Sequence, residues 1–325
     1  MKEKKVIGID LGGTTAKVGI LNQLGKVESS WSIVTDISNE GSNIVPNIIT
    51  SINQKIAELN LTSADFLGIG MGSPGTVSRE NGTVIGAYNL NWKTLQPIRK
   101  LIETQTGIPF FIDNDANVAA LGEQWMGAGN REANVAFITL GTGVGGGLIV
   151  DNNLIHGALD AAGEVGHITV EPNGYQCTCG KKGCLEQYAS ATGVVRLAQD
   201  MSNTYEGVSK LKNKIEAEEW VDAKIVFDLA KTDDPLAVLV IDRFVYYLAL
   251  ALGNVANILN PSTIILGGGV SKAGSFLAEK VSKAIEEFTF PTIRKVTKIK
   301  IAQLENDAGM IGAASLVLNE LEEVV

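Results

Sequence analysis

One plan occurs twice in this chain, and it limits the fold more than any other feature. Residues 5–21 read "KVIGIDLGGTTAKVGIL": an apolar strand, a Gly/Thr turn, a second apolar strand. Residues 135–150 read "VAFITLGTGVGGGLIV" and repeat the plan. Short apolar runs bounded by glycine read as strands and tight turns, and self-similarity at this distance points to two related domains. A glycine turn presents bare backbone N–H groups without side-chain bulk, so a phosphate can come close. Two such turns facing each other would hold a polyphosphate from both sides. A third stretch, "STIILGGGVSKAG" at 262–274, gives a strand, three glycines and a helix start, where the helix N-terminus would sit against a nucleotide. None of the three ends in the Gly-Lys-Ser/Thr of a P-loop. "GTGVGGG" approaches the dinucleotide fingerprint, but a strand follows it where that motif needs a helix.

Between these hairpins lie helical patterns: "NIVPNIITSINQKIAELN", "NVAALGEQWMGAG", "PLAVLVIDRFVYYLALALGNVANILN" and "AGMIGAASLVLNELEE". Strands alternating with helices indicate α/β layers. Residues 201–235 are charged and helix-prone, which predicts a surface helical insertion. The Lys-rich "IRKVTKIKIAQL" alternates charged and apolar residues and predicts a strand with one wet face. At 325 residues, 45% hydrophobic and 19% charged, the composition is that of a two-domain globular protein. A net charge of −9 argues against nucleic-acid or anionic-membrane partners. The run "VAFITLGTGVGGGLIV" is short and glycine-broken, so no membrane span is expected. "MKEKK" leads straight into a strand-like run and reads as no signal segment, which places the chain in the cytoplasm.

The three cysteines all fall in "CTCGKKGC", residues 177–184. Three cannot all pair within one chain, and disulfides are rare in the cytosol. Gly180 and Gly183 let the loop fold tightly enough for Cys177, Cys179 and Cys184 to converge. Three thiolates leave one corner of a zinc tetrahedron open. His167, ten residues upstream on the strand-like "GEVGHITV", is the expected fourth ligand; the chain's other histidine, His156, is the alternative, and three reduced thiols in a glycine-rich loop is the metal-free one.

Carboxylates flank these features. "IPFFIDNDANVAALGEQW" runs from strand to helix with Asp113, Asn114 and Asp115 at the junction. One N-cap needs one such residue, and the C-terminal end of a strand is where open α/β sheets place ligands. Glu164 and Glu186 bracket the cysteine loop. Two carboxylates and an imidazole, with nothing basic expected nearby, suit a neutral, hydroxyl-rich ligand such as a sugar; solvated loop glutamates are the alternative.

These motifs, in order from "IGIDLGGTTAKVGIL" through "GIGMGSPGTV", "NLNW", "DNDANVAALGE", "ITLGTGVGGGLI", "GEVGH" and "CTCGKKGCLE" to "ILGGGVS", closely resemble the ROK family of sugar kinases, and within it the ATP-dependent glucokinases. The resemblance runs nearly end to end. It implies an actin-like (ribonuclease H-like) two-lobed ATPase fold of α/β class with an interlobe cleft. The lobes would be residues 1–114, with a C-terminal helix at 307–325 packing back, and residues 115–306 with the zinc loop. It implies ATP-dependent phosphorylation of glucose to glucose 6-phosphate with Asp115 as general base. Gly75, Asn89, Asn114, Glu164, His167 and Glu186 would bind sugar. Asp10 would face magnesium. Gly12, Gly13, Thr14, Thr15 and Lys17 would hold Mg-ATP phosphates from one side, and Gly141, Thr142 and Gly143 from the other. Gly267, Gly268 and Gly269 would lie against adenosine, and a zinc held by His167, Cys177, Cys179 and Cys184 would be structural. A homodimer or homotetramer is implied. The alternatives are a kinase for fructose, mannose or an N-acetylated amino sugar, and a sugar-sensing regulator without catalysis. Family repressors carry a DNA-binding segment before the first phosphate turn, where this chain has only a handful of residues.

Overall fold

The computed structural model describes residues 3–322. Met1 and Lys2 of "MKEKK" and residues 323–325 of the expected C-terminal helix lie outside the described residues.

Two five-stranded mixed sheets carry the molecule. The first is built from β1 (Lys5–Leu11), β2 (Thr15–Leu21), β3 (Val27–Val34), β4 (Phe66–Ser73) and β7 (Phe110–Asn114), in the order β3-β2-β1-β4-β7. A small hairpin, β5 (Thr76–Ser78) with β6 (Thr83–Ile85), lies between β4 and β7. The second sheet runs β10-β9-β8-β11-β12, from β8 (Val135–Leu140), β9 (Val144–Val150), β10 (Asn153–Leu154), β11 (Thr263–Gly267) and β12 (Lys298–Ile301). The pairing sense matches position by position. The first three strands of each sheet form an antiparallel meander, the fourth joins the first in parallel, and the fifth joins the fourth in parallel. The duplication expected from the two hairpins is therefore a duplication of whole sheets.

Helices fill equivalent crossovers. α1 (Ile44–Glu58) links β3 to β4, and α8 (Pro235–Leu259) links β10 to β11. α1 buries Ile44, Ile48, Ile52 and Ile56, spaced four apart on one face. α8 starts with Pro235, capped by Asp234, whose side chain accepts the Ala237 amide; it stops at Asn260 in the left-handed region. Among the described helices α8 alone is long and apolar enough to cross a membrane, a longer run than the one weighed above. Two thirds of its apolar window is buried in the second lobe, as expected of a core helix. α2 (Ile98–Thr106) and α9 (Ser275–Ala284) occupy the next pair of crossovers.

The last helix of each half packs across the molecule. α3 (Asp115–Met126) lies on β8 and β9, while α10 (Ala308–Glu322) lies on β1 and β4, and the two helices pack on each other. Glycine permits the contact: a Cβ on Gly312 would fall 1.6 Å from the Val118 carbonyl oxygen.

Two expectations need correction. Residues 201–235 are not simply a surface insertion. After α4 (Glu186–Ala189) and α5 (Ala191–Thr204), α6 (Lys210–Glu216) and α7 (Ala223–Ala230) bury Leu211, Val226, Phe227 and Ala230 in the second core, where Phe227 meets Phe244 edge-on at 5.6 Å. Their charged residues are the outer faces of amphipathic helices. In "IRKVTKIKIAQL" only residues 298–301 form a strand, at the sheet edge; Ile293–Lys295 turn as a 3-10 helix.

Candidate active site

A cavity of about 710 Å³ lies between the lobes. Its wall takes in Asp10, Gly75, Asn114, Asp115, Gly141, Gly143, Glu164, Glu186 and Gly267 to Gly269. Gly12, Gly13, Thr14, Thr15, Lys17, Asn89, Thr142 and His167 stand off that wall. Asn89 nonetheless abuts the first turn: a Cβ on Gly13 would lie 3.3 Å from its carbonyl oxygen. Lys17 pairs with Asp307, just before α10.

The first turn is closed by Gly12 N–H donating to Thr15 O at 3.0 Å. Thr35, just past β3, donates its hydroxyl to Gly12 O at 2.7 Å and its amide to Thr14 O at 2.9 Å. The second turn is closed by Gly141 N–H to Gly143 O at 2.9 Å. Its brace comes from elsewhere. Glu186 accepts the Val144 amide at 3.2 Å, Ala191 N–H donates to Gly141 O at 2.8 Å, and Thr192 Oγ1 donates to Thr142 O at 3.1 Å. A Cβ on Gly143 would fall 2.2 Å from Glu186 Oε2, whereas one on Gly269 would meet nothing within 4 Å and one on Gly141 nothing nearer than 4.0 Å. At Gly141 and Gly269 the protein thus leaves room that its own packing does not use. Gly75 has φ +93°, which strains any side chain.

β7 delivers Asp113 and Asn114 to the mouth of α3. Asn114 caps the helix, its Oδ1 accepting Ala116 N–H at 2.9 Å; Asp115 Oδ1 shares that donor at 2.8 Å. Asp115 is exposed to the cleft, though protein crowds around its carboxyl there. That enclosure raises its carboxyl above the ordinary range, against the pull of the Ala116 amide. Asp10 is raised to about 6, first by burial, then by the charge of Asp115, with Lys17 opposing. Two carboxylates that resist ionising beside each other suit a divalent cation, which would relieve both.

The cysteine loop closes as a cluster. His167 Nδ1 lies 3.7 Å from Cys177 Sγ, Cys179 and Cys184 sulfurs are 3.6 Å apart, and all four ligand atoms lie within 4.8 Å of one another. Zinc bonds of about 2.3 Å to sulfur and 2.0 Å to nitrogen give tetrahedron edges of roughly 3.5–3.8 Å, so the residues fit the ion. Burial pushes the Cys177 thiol up, but hydrogen bonds from the Cys179 amide, the two neighbouring thiols and His167 outweigh it and hold Cys177 down at about 6. Burial and the thiols of Cys179 and Cys177 push Cys184 up to about 12. Three thiols this close cannot all ionise without a cation. His167 sits in a 3-10 turn, Val165–His167, not on a strand, because the chain bends there before Thr169 bridges to Cys184. The turn aims Nδ1 at the sulfurs and leaves Nε2 at 3.9 Å from Glu164. A base does stand near: Lys181 Nζ donates to the His167 carbonyl at 2.7 Å. His156 is far from the cluster in role, its ring being paired with Asp113.

Glu123 escaped the sequence reading. It is fully buried, lines the cavity, and accepts the amides of Ala128, Gln303 and Leu304 at 2.7–3.1 Å, which holds the segment leading to Glu305 and Asn306. The signal was a charge on the apolar face of "NVAALGEQW".

The model of the ROK family matches residues 6–320. The chain is 41% identical to the glucokinase of Halalkalibacterium halodurans, over 98% of this chain and 96% of that one. It is 36% identical to the glucokinase of Thermotoga maritima, over 98% of each. A ROK family glucokinase from Streptomyces griseus, solved in complex with glucose and AMPPNP, superposes with a TM-score of 0.75 at 32% identity, over 97% of this chain and 99% of that one.

Proposed function

The chain belongs to the ROK family, and from that premise we infer that it is an ATP-dependent glucokinase, transferring the γ-phosphoryl group of ATP to the 6-hydroxyl of glucose. The observation that carries the reading is one cavity holding a carboxylate at a strand-to-helix junction, two further glutamates, and glycines with unused space. Asp115 accepts the proton of the primary hydroxyl as its oxygen attacks the γ-phosphorus and the bond to the β-phosphate oxygen breaks. Asn114, Gly75, Asn89, Glu164, His167 and Glu186 orient the sugar. The turns at 12–15 and 141–143 hold the phosphates, with Asp10 beside them, and Gly267 to Gly269 face adenosine. Asp10 would stand beside the magnesium that comes with ATP and offsets phosphate charge, and His167, Cys177, Cys179 and Cys184 would hold a structural zinc that ties His167 to the cysteine loop. Such transfers need positioning and charge neutralisation more than covalent catalysis.

A kinase for another hexose and a sensor without catalysis are not favoured, given glucokinase relatives of 36–41% identity along the whole chain. We place the lobe boundary between Asn114 and Asp115, where α3 leaves for the second sheet, and assign residues 307–322, the described part of 307–325, to the first lobe. A cytoplasmic homodimer or homotetramer without nucleic-acid or membrane partners goes with this reading and rests on net charge and the family resemblance. The test is ADP release with glucose, fructose, mannose, N-acetylmannosamine and N-acetylglucosamine. Glucose should give the highest kcat/KM; a higher value for another sugar, or no ADP with any, overturns the reading.

A further inference from the structure

The chain has two histidines, and the cysteine cluster uses only one. We propose that the other, His156, forms with Asp113 a strut between the lobes that sets the position of the Asn114–Asp115 junction against the segment carrying Glu164. His156 is then a positioning residue for the phosphoryl transfer inferred above, and the proposal rests on that reading of Asp115 and Glu164.

The two partners come from facing edges. Asp113 is on β7, the edge of the first sheet, and His156 follows β10, the edge of the second. His156 Nε2 lies 2.6 Å from Asp113 Oδ2, and Asp113 is only 2% exposed. The other carboxylate oxygen, Oδ1, accepts Asn117 Nδ2 and the Asn114 amide, each at 2.7 Å. One carboxylate thus fixes the first turn of α3 with one oxygen and reaches the opposite lobe with the other. Arg79 extends the link. Its Nε lies 3.5 Å from Asp113 Oδ2 with no hydrogen-bond partner, its Nη2 pairs with Glu320 of α10, and its amide donates to Asp160 Oδ2 at 3.2 Å.

On the far side, the His156 carbonyl accepts the Ala162 amide at 3.0 Å. That bond closes the loop 157–162 between Gly157 and Gly163, both in the left-handed region, and Glu164 follows directly. A largely enclosed polar pair is a poor way to gain stability, since apolar residues of similar volume commonly do as well or better. What it supplies is direction: Nε2 meets one oxygen at one distance. Two groups that must act on one sugar, Asp115 and Glu164, come from different sheets, and a displacement of about 1 Å can cost on the order of 10²-fold in rate.

The test compares His156→Ala, His156→Gln and His156→Phe with wild type in steady-state kinetics. It is joined by hydrogen exchange of the amides at 113–118 and 157–164 in the protein without substrate. The alanine variant should lose about 10–100-fold in kcat/KM for glucose, with the ATP KM within about twofold and both segments exchanging faster. Glutamine, which can donate from a similar place, should restore most of the loss; phenylalanine, which fills the volume without a donor, should not. Unchanged glucose kinetics in His156→Ala, rescue by phenylalanine equal to that by glutamine, or unchanged exchange in both segments each overturns the strut. A wild-type protein inert towards glucose overturns the function reading instead, and exchange then decides the strut alone.

Discussion

The two glycine hairpins share strand order and pairing sense, yet the first turn closes from Gly12 to Thr15 and the second from Gly141 to Gly143, and they are braced differently. The first turn is held by Thr35, a neutral hydroxyl from its own sheet. The second is held by Glu186 and the start of α5, which follow the cysteine loop by two and seven residues. The second turn lines the cavity and the first stands off it, apart from Asp10. Duplication supplied two glycine turns, and only the second is tied to Glu186 and the chain that follows the cysteine loop. The first hairpin reaches the cavity wall through Asp10 alone, and lobe closure over both substrates would bring its turn in. The second is fixed by residues just downstream of the cysteine loop.

The sharpest break in this comparison is one that should touch neither hairpin. Asp115→Asn should lower turnover by ~10²–10⁴ while glucose still binds by calorimetry. Near-normal turnover would remove Asp115 from the mechanism. Next comes Cys179→Ala. Wild type should carry about one zinc per chain by elemental analysis, and the variant none. Glucose affinity should fall by about 10–100-fold, and ATP affinity by less, through Glu186 and the second turn alone. Metal-free wild type that binds glucose at full affinity would end the structural-zinc reading.

The acid limb should be smaller. Asp10, raised to about 6, must be ionised beside magnesium, so the rate should fall as pH drops through about 6, by about tenfold per unit below it for one group. Stability carries the opposite sign. A carboxyl whose folded value is raised contributes stability below the ordinary 3.8, and that contribution is lost as pH rises through 6. Asp10→Asn should therefore raise Tm relative to wild type more at pH 8 than at pH 5; a constant difference would contradict the burial of that charge. The smallest effect separates the two turns. Thr35→Val removes one hydrogen bond worth about 0.5–1.5 kcal/mol, so the ATP KM should rise roughly two- to tenfold with the glucose KM unchanged. Gly141→Val, in open space, should raise the ATP KM without lowering Tm. A fall in Tm there would place protein, not phosphate, against the turn.

The duplication was legible because glycine turns and period-two apolar runs are local signals. The strand-to-helix junction at 113–115 was legible for the same reason. So was the metal cluster, since three of its ligands lie within eight residues. What the sequence hid was long-range. Nothing near Asp113 says that it pairs with a histidine 43 residues on, nor does anything near Val144 point to Glu186, 42 residues away. The burial of Phe227 was hidden because charged outer faces dominate the composition of 201–235. His167 was read as strand from "HITV", but the glycine before it and the pull of the sulfur cluster bend the chain into a turn.

The exchange of helices between the halves has a cost in time. The first sheet is complete at Asn114, yet the helix that covers β1 and β4 begins at Ala308, about 190 residues later. At synthesis rates of ~5–20 residues per second, the face that receives α10 stays bare for about 10–40 s on the ribosome. During that interval the nascent first lobe leaves the apolar surface of Val6, Leu21 and their neighbours uncovered. Slowing translation between the halves should lengthen the time for which that face stays uncovered.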